Sequence, residues 1–246
     1  MRAEAQDVAV RPGALRAVLI DLDGTLLDTA PDLALAANRV RAEFGLADLG
    51  VDRIAQFVGK GTDILVHRAL RDDLDGRVDG PDFDRAKHSF ERHYGEINGT
   101  RSRVFERVPE ALEEMRAAGI ALACVTNKPR AFTRPLLERM KLMERLDAVV
   151  AGDEVARRKP HPDLLLEACA RLGVDPSGAM LIGDSHNDAL AAAAAGSASV
   201  LVETGYNEGE PVHDLAGTQG VQGIFPTLYD AAQWLLARAR GVQAQA

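Results

Sequence analysis

Short continuous apolar runs alternate with amphipathic stretches along most of the chain. Arg16-Ala-Val-Leu-Ile-Asp21 is the first, and it ends in an acid. Similar runs follow at Ile120–Thr126, Leu146–Ala151, Ala179–Gly183 and Ala198–Val202. Runs of this length without polar alternation suit strands buried on both faces, as in a parallel sheet. Helical spacing covers Pro109–Ala118, Ala131–Met140, Pro162–Leu172 and His186–Ala195, and Gly119, Gly173 and Gly196 stand where helices stop. Strand and helix in alternation predict an α/β fold, a doubly wound, Rossmann-like parallel sheet with right-handed crossovers. The Ala191–Ala195 run fits a helix packed closely on that sheet.

One interval breaks the alternation. From Pro31 to Thr100 the spacing is helical throughout, with Leu33, Ala36, Ala37 and Val40 on one face and Ile64, Leu65, Arg68 and Ala69 in a second stretch. The pattern predicts a small all-helical domain at 31–100, inserted after the first strand of a core formed by 14–30 and 101–240. Asp72–Asp84, rich in Asp and Gly, is expected to be a turn, and 1–13 and 241–246 are expected to be mobile tails.

Composition narrows the function. A net charge of −8 and only 4% aromatic residues disfavour binding to nucleic acid or to an anionic membrane. The N-terminus lacks the apolar core of a signal peptide, and no uncharged apolar run is long enough to span a bilayer. Cys124 and Cys169 lie in apolar stretches without metal-site spacing, as buried reduced thiols would. These features predict a cytoplasmic protein without membrane or nucleic-acid partners.

The chemistry concentrates at the ends of the predicted strands. In Asp21-Leu-Asp-Gly-Thr25, Asp21 and Asp23 stand two apart, so both carboxylates face the crevice beyond the strand. Carboxylates that close need a cation, and Mg²⁺ favours oxygen ligands. A solvated turn is the plain alternative for this segment alone. Thr126-Asn127 offers a hydroxyl and amides to a phosphate oxygen, although the pair also suits a helix cap. Lys159, set between Arg158 and Pro160, can neutralise charge at the crevice. In Gly183-Asp-Ser-His-Asn-Asp188, Asp184 and Asp188 share one helical face, completing an acidic ring with Asp21 and Asp23. His186 reads as a polar helix-start residue. His67, His88, His93 and His213 lack zinc-like spacing.

Asp21-x-Asp-Gly-Thr, Thr126, Lys159 and Gly183-Asp-x-x-x-Asp188, in that order, resemble the four motifs of the haloacid dehalogenase-like hydrolases from Leu15 to about Ala237. The helical insert is similar to the mobile cap of that superfamily. Within it the chain looks most like the phosphoglycolate phosphatase group, through Gly24–Asp32, Val58-Gly-Lys-Gly61, Thr126-Asn-Lys-Pro129, Lys159-Pro-His-Pro-Asp163 and Gly205-Tyr-Asn-x-Gly-Glu210. It departs from that group at Phe105–Val108, where a Pro-Gly turn is common, and at Lys60, where an uncharged polar residue is common.

The resemblance implies a Mg²⁺-dependent phosphatase that hydrolyses 2-phosphoglycolate through an aspartyl phosphate. Asp21 is then the nucleophile and Asp23 the acid and base. Mg²⁺ is held by Asp21, Asp184 and the carbonyl of Asp23, with Asp188 as a supporting residue or a further ligand. Thr126, Asn127 and Lys159 grip the phosphate, and Lys60 is the candidate contact for the substrate carboxylate. The partner is a small phosphorylated metabolite, and the protein is a monomer or homodimer. A sugar-phosphate phosphatase, including one for an amino-sugar 6-phosphate, is the nearest alternative. A phosphosugar mutase and a noncatalytic binding protein of the same fold stand further off.

Overall fold

A computed structural model describes residues 15–243. Strand β1 (Ala17–Ile20) leads through a tight turn into β2 (Leu27–Asp28) and then into helices α1 (Ala30–Glu43), α2 (Val51–Ala55), α3 (Thr62–Arg71) and α4 (Gly80–Ile97). The chain returns as β3 (Arg103–Val104), which pairs antiparallel with β2. Thereafter α5 (Val108–Ala117), β4 (Ala121–Val125), α6 (Arg130–Arg139), β5 (Ala148–Val150), α7 (Asp163–Leu172), β6 (Ala179–Gly183), α8 (His186–Ala195), β7 (Ala198–Val202), β8 (Val221–Phe225) and α9 (Leu228–Gln243) follow in turn.

Six strands form one parallel sheet in the order β5-β4-β1-β6-β7-β8. Alternate residues of β1 explain its unbroken hydrophobicity. Val18 and Ile20 face a core built with α5 and α9, whereas Ala17 and Leu19 face a second core built with α7 and α8. Ala191 and Ala192 of α8 are fully buried in that second core, where small side chains let the helix approach the sheet. The chain builds outward from β1 on one side through β4 and β5 and on the other through β6 to β8. β1 is therefore the topological switch point, and the crevice beyond its C-terminal end is the place where such sheets bind ligands.

Helices α1 to α4 bury an apolar cluster of their own, with Leu33, Val40, Ile54, Phe57, Leu65 and Phe90 at its centre. Phe132 of α6 joins it from the core side. The short β2–β3 pair ties together the two strands of chain that leave and re-enter the core.

Three details differ from the sequence pattern. The turn expected at Asp72–Asp84 ends at Asp79, because Pro81 at the start of α4 is preset for helix and needs no N–H partner there. β8 does not stand out in the sequence because Gln222 and Gly223 interrupt its apolar run, and it is a half-buried edge strand. Residues 241–243, expected in a tail, complete α9; the tail expected at 1–13 and residues 244–246 lie outside the described range.

Candidate active site

Asp21, Thr126 and Asp184 are the first residues beyond the C-terminal ends of β1, β4 and β6, which are neighbours in the sheet. Register alone thus brings three of the motif residues to one crevice. Sheet-type bonds continue one step past the strands and fix them there: Asp21 N–H donates to Ile182 O at 3.0 Å, and Thr126 N–H to Val150 O at 3.1 Å.

Lys159, from the loop before α7, sits at the centre of the site. Its ammonium is 2.7 Å from Asp21 Oδ1 and 2.7 Å from Asp188 Oδ1, and it donates to Val125 O at 3.0 Å. Burial alone would discharge it, but Asp188 and Asp21 more than compensate and keep it protonated. Asp188 is spoken for on both oxygens, since Oδ2 accepts from Ser185 N–H and Oγ in the capping box of α8. It therefore anchors Lys159 and the helix start together. Asp21 keeps Oδ2 without a protein partner among the described residues.

Asp21, Asp184 and Asp188 bring one carboxylate oxygen each within 4.8 Å of one another, all buried, against the single ammonium of Lys159. Asp184 accepts from Thr25 Oγ1 at 3.1 Å and from Tyr206 N–H at 2.9 Å. Burial and then Asp188 push its carboxyl up to about 7. Burial likewise raises Asp21 well above the usual carboxylate range; Lys159 opposes the rise, and Asp188 and Asp184 add to it. Gly24 and Gly205 press against this carboxylate, where an added Cβ would lie 2.6 Å and 2.0 Å from Asp184 Oδ2. The excess of buried negative charge, all of it on hard oxygen donors, fits a divalent cation such as Mg²⁺.

Asp23 faces the same cavity from the turn after β1. Its Oδ1 accepts from Thr29 Oγ1 at 2.5 Å and is paired with Lys128 Nζ at 2.8 Å, which leaves Oδ2 open. Thr126 and Lys128 line the cavity from the β4 side, and Leu33, Val58, Leu65, Phe90 and Tyr94 of the insert close it from above.

Two predicted residues do other work. The Asn127 side chain donates to Gly59 O and Lys159 O and accepts from Lys159 N–H, so it cannot also hold a phosphate. It fixes the Lys159 loop and the insert loop; only its backbone N–H, unpaired among the described residues, is left to face a ligand. Lys60 does not line the cavity, although Gly59 and Gly61 on either side of it do. Its ammonium pairs with Glu208 at 2.7 Å, because the loop after β7 supplies a carboxylate there that also holds Arg68 at 3.0 Å. His186 is exposed at the start of α8, outside the chemistry, as its sequence setting suggests.

Lys128 is the residue that motif reasoning passes over. It sits in Thr126-Asn-Lys128 in full view, but its pairing with Asp23 emerges only when β4 lies beside β1.

A haloacid dehalogenase-like hydrolase family profile matches residues 15–196. The chain belongs to this family. A phosphoglycolate phosphatase of Nitrosospira multiformis is 47% identical over 222 residues, covering 90% of this chain and 96% of its own length. One from Thiobacillus denitrificans is 42% identical over 221 residues, with the same coverage of 90% and 96%. A solved structure described as a predicted phosphoglycolate phosphatase from Haemophilus somnus 129pt superposes with a TM-score of 0.82 at 30% identity, covering 90% of this chain and 98% of that one. This member of the family is a hydrolase with a six-stranded parallel core, and no described helix is long and apolar enough to cross a membrane.

Proposed function

We propose that the protein is a Mg²⁺-dependent phosphatase that hydrolyses 2-phosphoglycolate to glycolate and phosphate. The observation that carries the chemistry is the convergence of Asp21 and Asp23 in one cavity, with Lys159 on the first and an open oxygen on the second. The names of the relatives at 47% and 42% identity support the substrate.

Asp21 attacks phosphorus, so that an Asp21–phosphorus bond forms as the ester oxygen leaves. Asp23 gives its proton to the departing alkoxide through Oδ2, then takes one from the water that attacks the aspartyl phosphate. That second step releases phosphate, frees Asp21 as the carboxylate and returns Asp23 to its protonated form. A dehalogenase would have no alkoxide to protonate, which gives Asp23 a purpose specific to phosphoester cleavage. Lys159 holds the nucleophile in place and offsets charge, while the Thr126 hydroxyl and the Asn127 backbone N–H bind phosphoryl oxygens. Asp21, Asp184 and the Asp23 carbonyl would hold Mg²⁺, which would supply charge neutralisation and orientation of the phosphoryl group. Asp188 acts on this set through Lys159. The helical insert excludes water as a cap over the cavity.

The test is kcat/KM with Mg²⁺ on 2-phosphoglycolate, sugar phosphates, nucleotides and pyrophosphate, with Asp21→Asn as the blank. The expected preference for 2-phosphoglycolate is about a hundredfold or more, roughly 2.7 kcal/mol of transition-state binding. Equal rates across the panel, or a sugar phosphate as the best substrate, would refute the assignment.

A further inference from the structure

Lys60, expected to meet the substrate carboxylate, spends its charge on Glu208 outside the cavity. Another cation is better placed. Lys128 Nζ is buried, lines the cavity and lies 2.8 Å from Asp23 Oδ1. An ammonium has three N–H donors; Asp23 is the one carboxylate that pairs with Lys128 among the described residues, and the Tyr94 phenol also interacts with it.

Tyr94 stands opposite, on α4 of the insert. Its ring lies 5.0 Å from Lys128 Nζ, and its hydroxyl is buried without a hydrogen-bond partner. The side chain is 1% exposed and wedged by Phe90, with ring centroids 5.6 Å apart, and edge-on by Phe132 at 5.0 Å. Burial pushes the phenol up to about 12, so it remains a donor. A buried, unpaired hydroxyl is costly unless a ligand completes it.

We propose that Lys128 and Tyr94 together form the subsite for a carboxylate on the leaving group. This deepens the phosphatase reading and rests on it. The geometry follows from Asp23, which must approach the ester oxygen to protonate it. In 2-phosphoglycolate a single methylene separates that oxygen from the carboxylate. A cation bound to Asp23 is therefore within reach of the carboxylate whenever Asp23 reaches the ester. Tyr94 supplies a second donor from the cap, so the subsite is complete only with the cap over the core. Much of the remaining wall that the insert supplies is apolar, from Leu33, Val58, Leu65 and Phe90, with the Thr62 hydroxyl and the backbone of Gly59 and Gly61 as its polar groups, a poor match to the several hydroxyls of a sugar.

The experiment compares kcat/KM for 2-phosphoglycolate, 3-phosphoglycerate and ethyl phosphate, which lacks the carboxylate, in wild type, Tyr94→Phe, Lys128→Met and Lys60→Met. Thermal unfolding establishes that each variant is folded, and Tyr94→Phe keeps the ring packing intact. The quantity read is the ratio of carboxylate-bearing substrate to ethyl phosphate. Tyr94→Phe is expected to lower that ratio about tenfold and Lys128→Met about a hundredfold, in line with charge-assisted hydrogen bonds. In an Asp21→Asn background, calorimetry is expected to show the same selective loss of 2-phosphoglycolate binding. Ratios within about twofold of wild type in both variants, or a loss in Lys60→Met instead, would overturn the subsite and leave the substrate assignment standing. Wild-type preference for 3-phosphoglycerate that both variants abolish would uphold the subsite and refute the assignment. A wild type with no preference for a carboxylate would refute both.

Discussion

Asp184 carries the conflict between folding and function most sharply. Its carboxylate is buried beside Asp21 and Asp188, which share the ammonium of Lys159. Without a divalent cation this is destabilising, and the folded carboxyl holds its proton up to about pH 7, against 3.8 for an ordinary Asp. The folded state thus binds the extra proton across that window, and metal-free stability must fall as pH rises through it. Melting temperatures in a chelator should decline between about pH 5 and pH 8, and added Mg²⁺ should raise them most at the alkaline end. A flat profile with no Mg²⁺ response would contradict the metal site. Asp184→Asn should stabilise the metal-free protein by roughly 1–3 kcal/mol, remove the Mg²⁺-induced rise and abolish turnover. The acids at the strand ends were legible in the sequence because a short apolar run fixes where its last residue points. Lys128, Tyr94 and Glu208 were not, since each acquires its role from neighbours far away in the chain: Asp23 for the first, the cavity for the second, Lys60 and Arg68 for the third.

At the scale of elements, the joints between insert and core are built from polar groups. Asp32, at the first turn of α1, is fully buried and accepts from Gly99 N–H, Thr100 Oγ1, Arg101 N–H, and Ser102 N–H and Oγ. It ties the outgoing helix to the returning chain just before β3. Asp32→Ala strands these donors and should cost about 3 kcal/mol or more in chemical denaturation; a loss under about 1 kcal/mol would show that water replaces the carboxylate readily. Tyr206 adds a second joint. Its hydroxyl accepts from the N–H groups of Thr29 and Ala30 and donates to Asp28, while its own N–H reaches Asp184.

Glu208 is the third joint, clasping Lys60 and Arg68 of the cap. Burial works to raise its carboxyl, but hydrogen bonds from both cations prevail and hold it below the ordinary range. The clasp is therefore fully present above an unfolded-state value of 4.5 and is lost as pH falls below it. Glu208→Gln should raise KM several-fold more than it lowers kcat, because cap closure contributes to binding and the reacting groups are untouched. An unchanged KM would remove Glu208 from any part in closure. None of these joints was visible as a motif, although Asp32, Lys60 and Tyr206 lie in segments that resemble the family. Propensity and periodicity report on the apolar faces of helices, whereas the joints depend on which loops meet.

For the whole molecule, one central strand organises both fold and chemistry. The sheet grows away from β1 in both directions, so the ends of β4, β1 and β6 present Thr126, Asp21 and Asp184 side by side. The strand–helix alternation was readable because buried parallel strands leave an unbroken apolar signature. β8 was not, because an edge strand with Gly223 and a half-buried face lacks that signature. The insert was readable as helical, but which of its residues line the cavity depends on its placement over the crevice. The proposed chemistry requires Asp21 to take the phosphoryl group from 2-phosphoglycolate. The most direct measurement is a rapid acid quench of the Mg²⁺-loaded enzyme turning over substrate labelled at phosphorus, followed by peptide mapping. Label on Asp21, appearing with the release of glycolate and absent from Asp21→Asn, is the predicted result; glycolate release with no labelled protein, or with label on another residue, would contradict it.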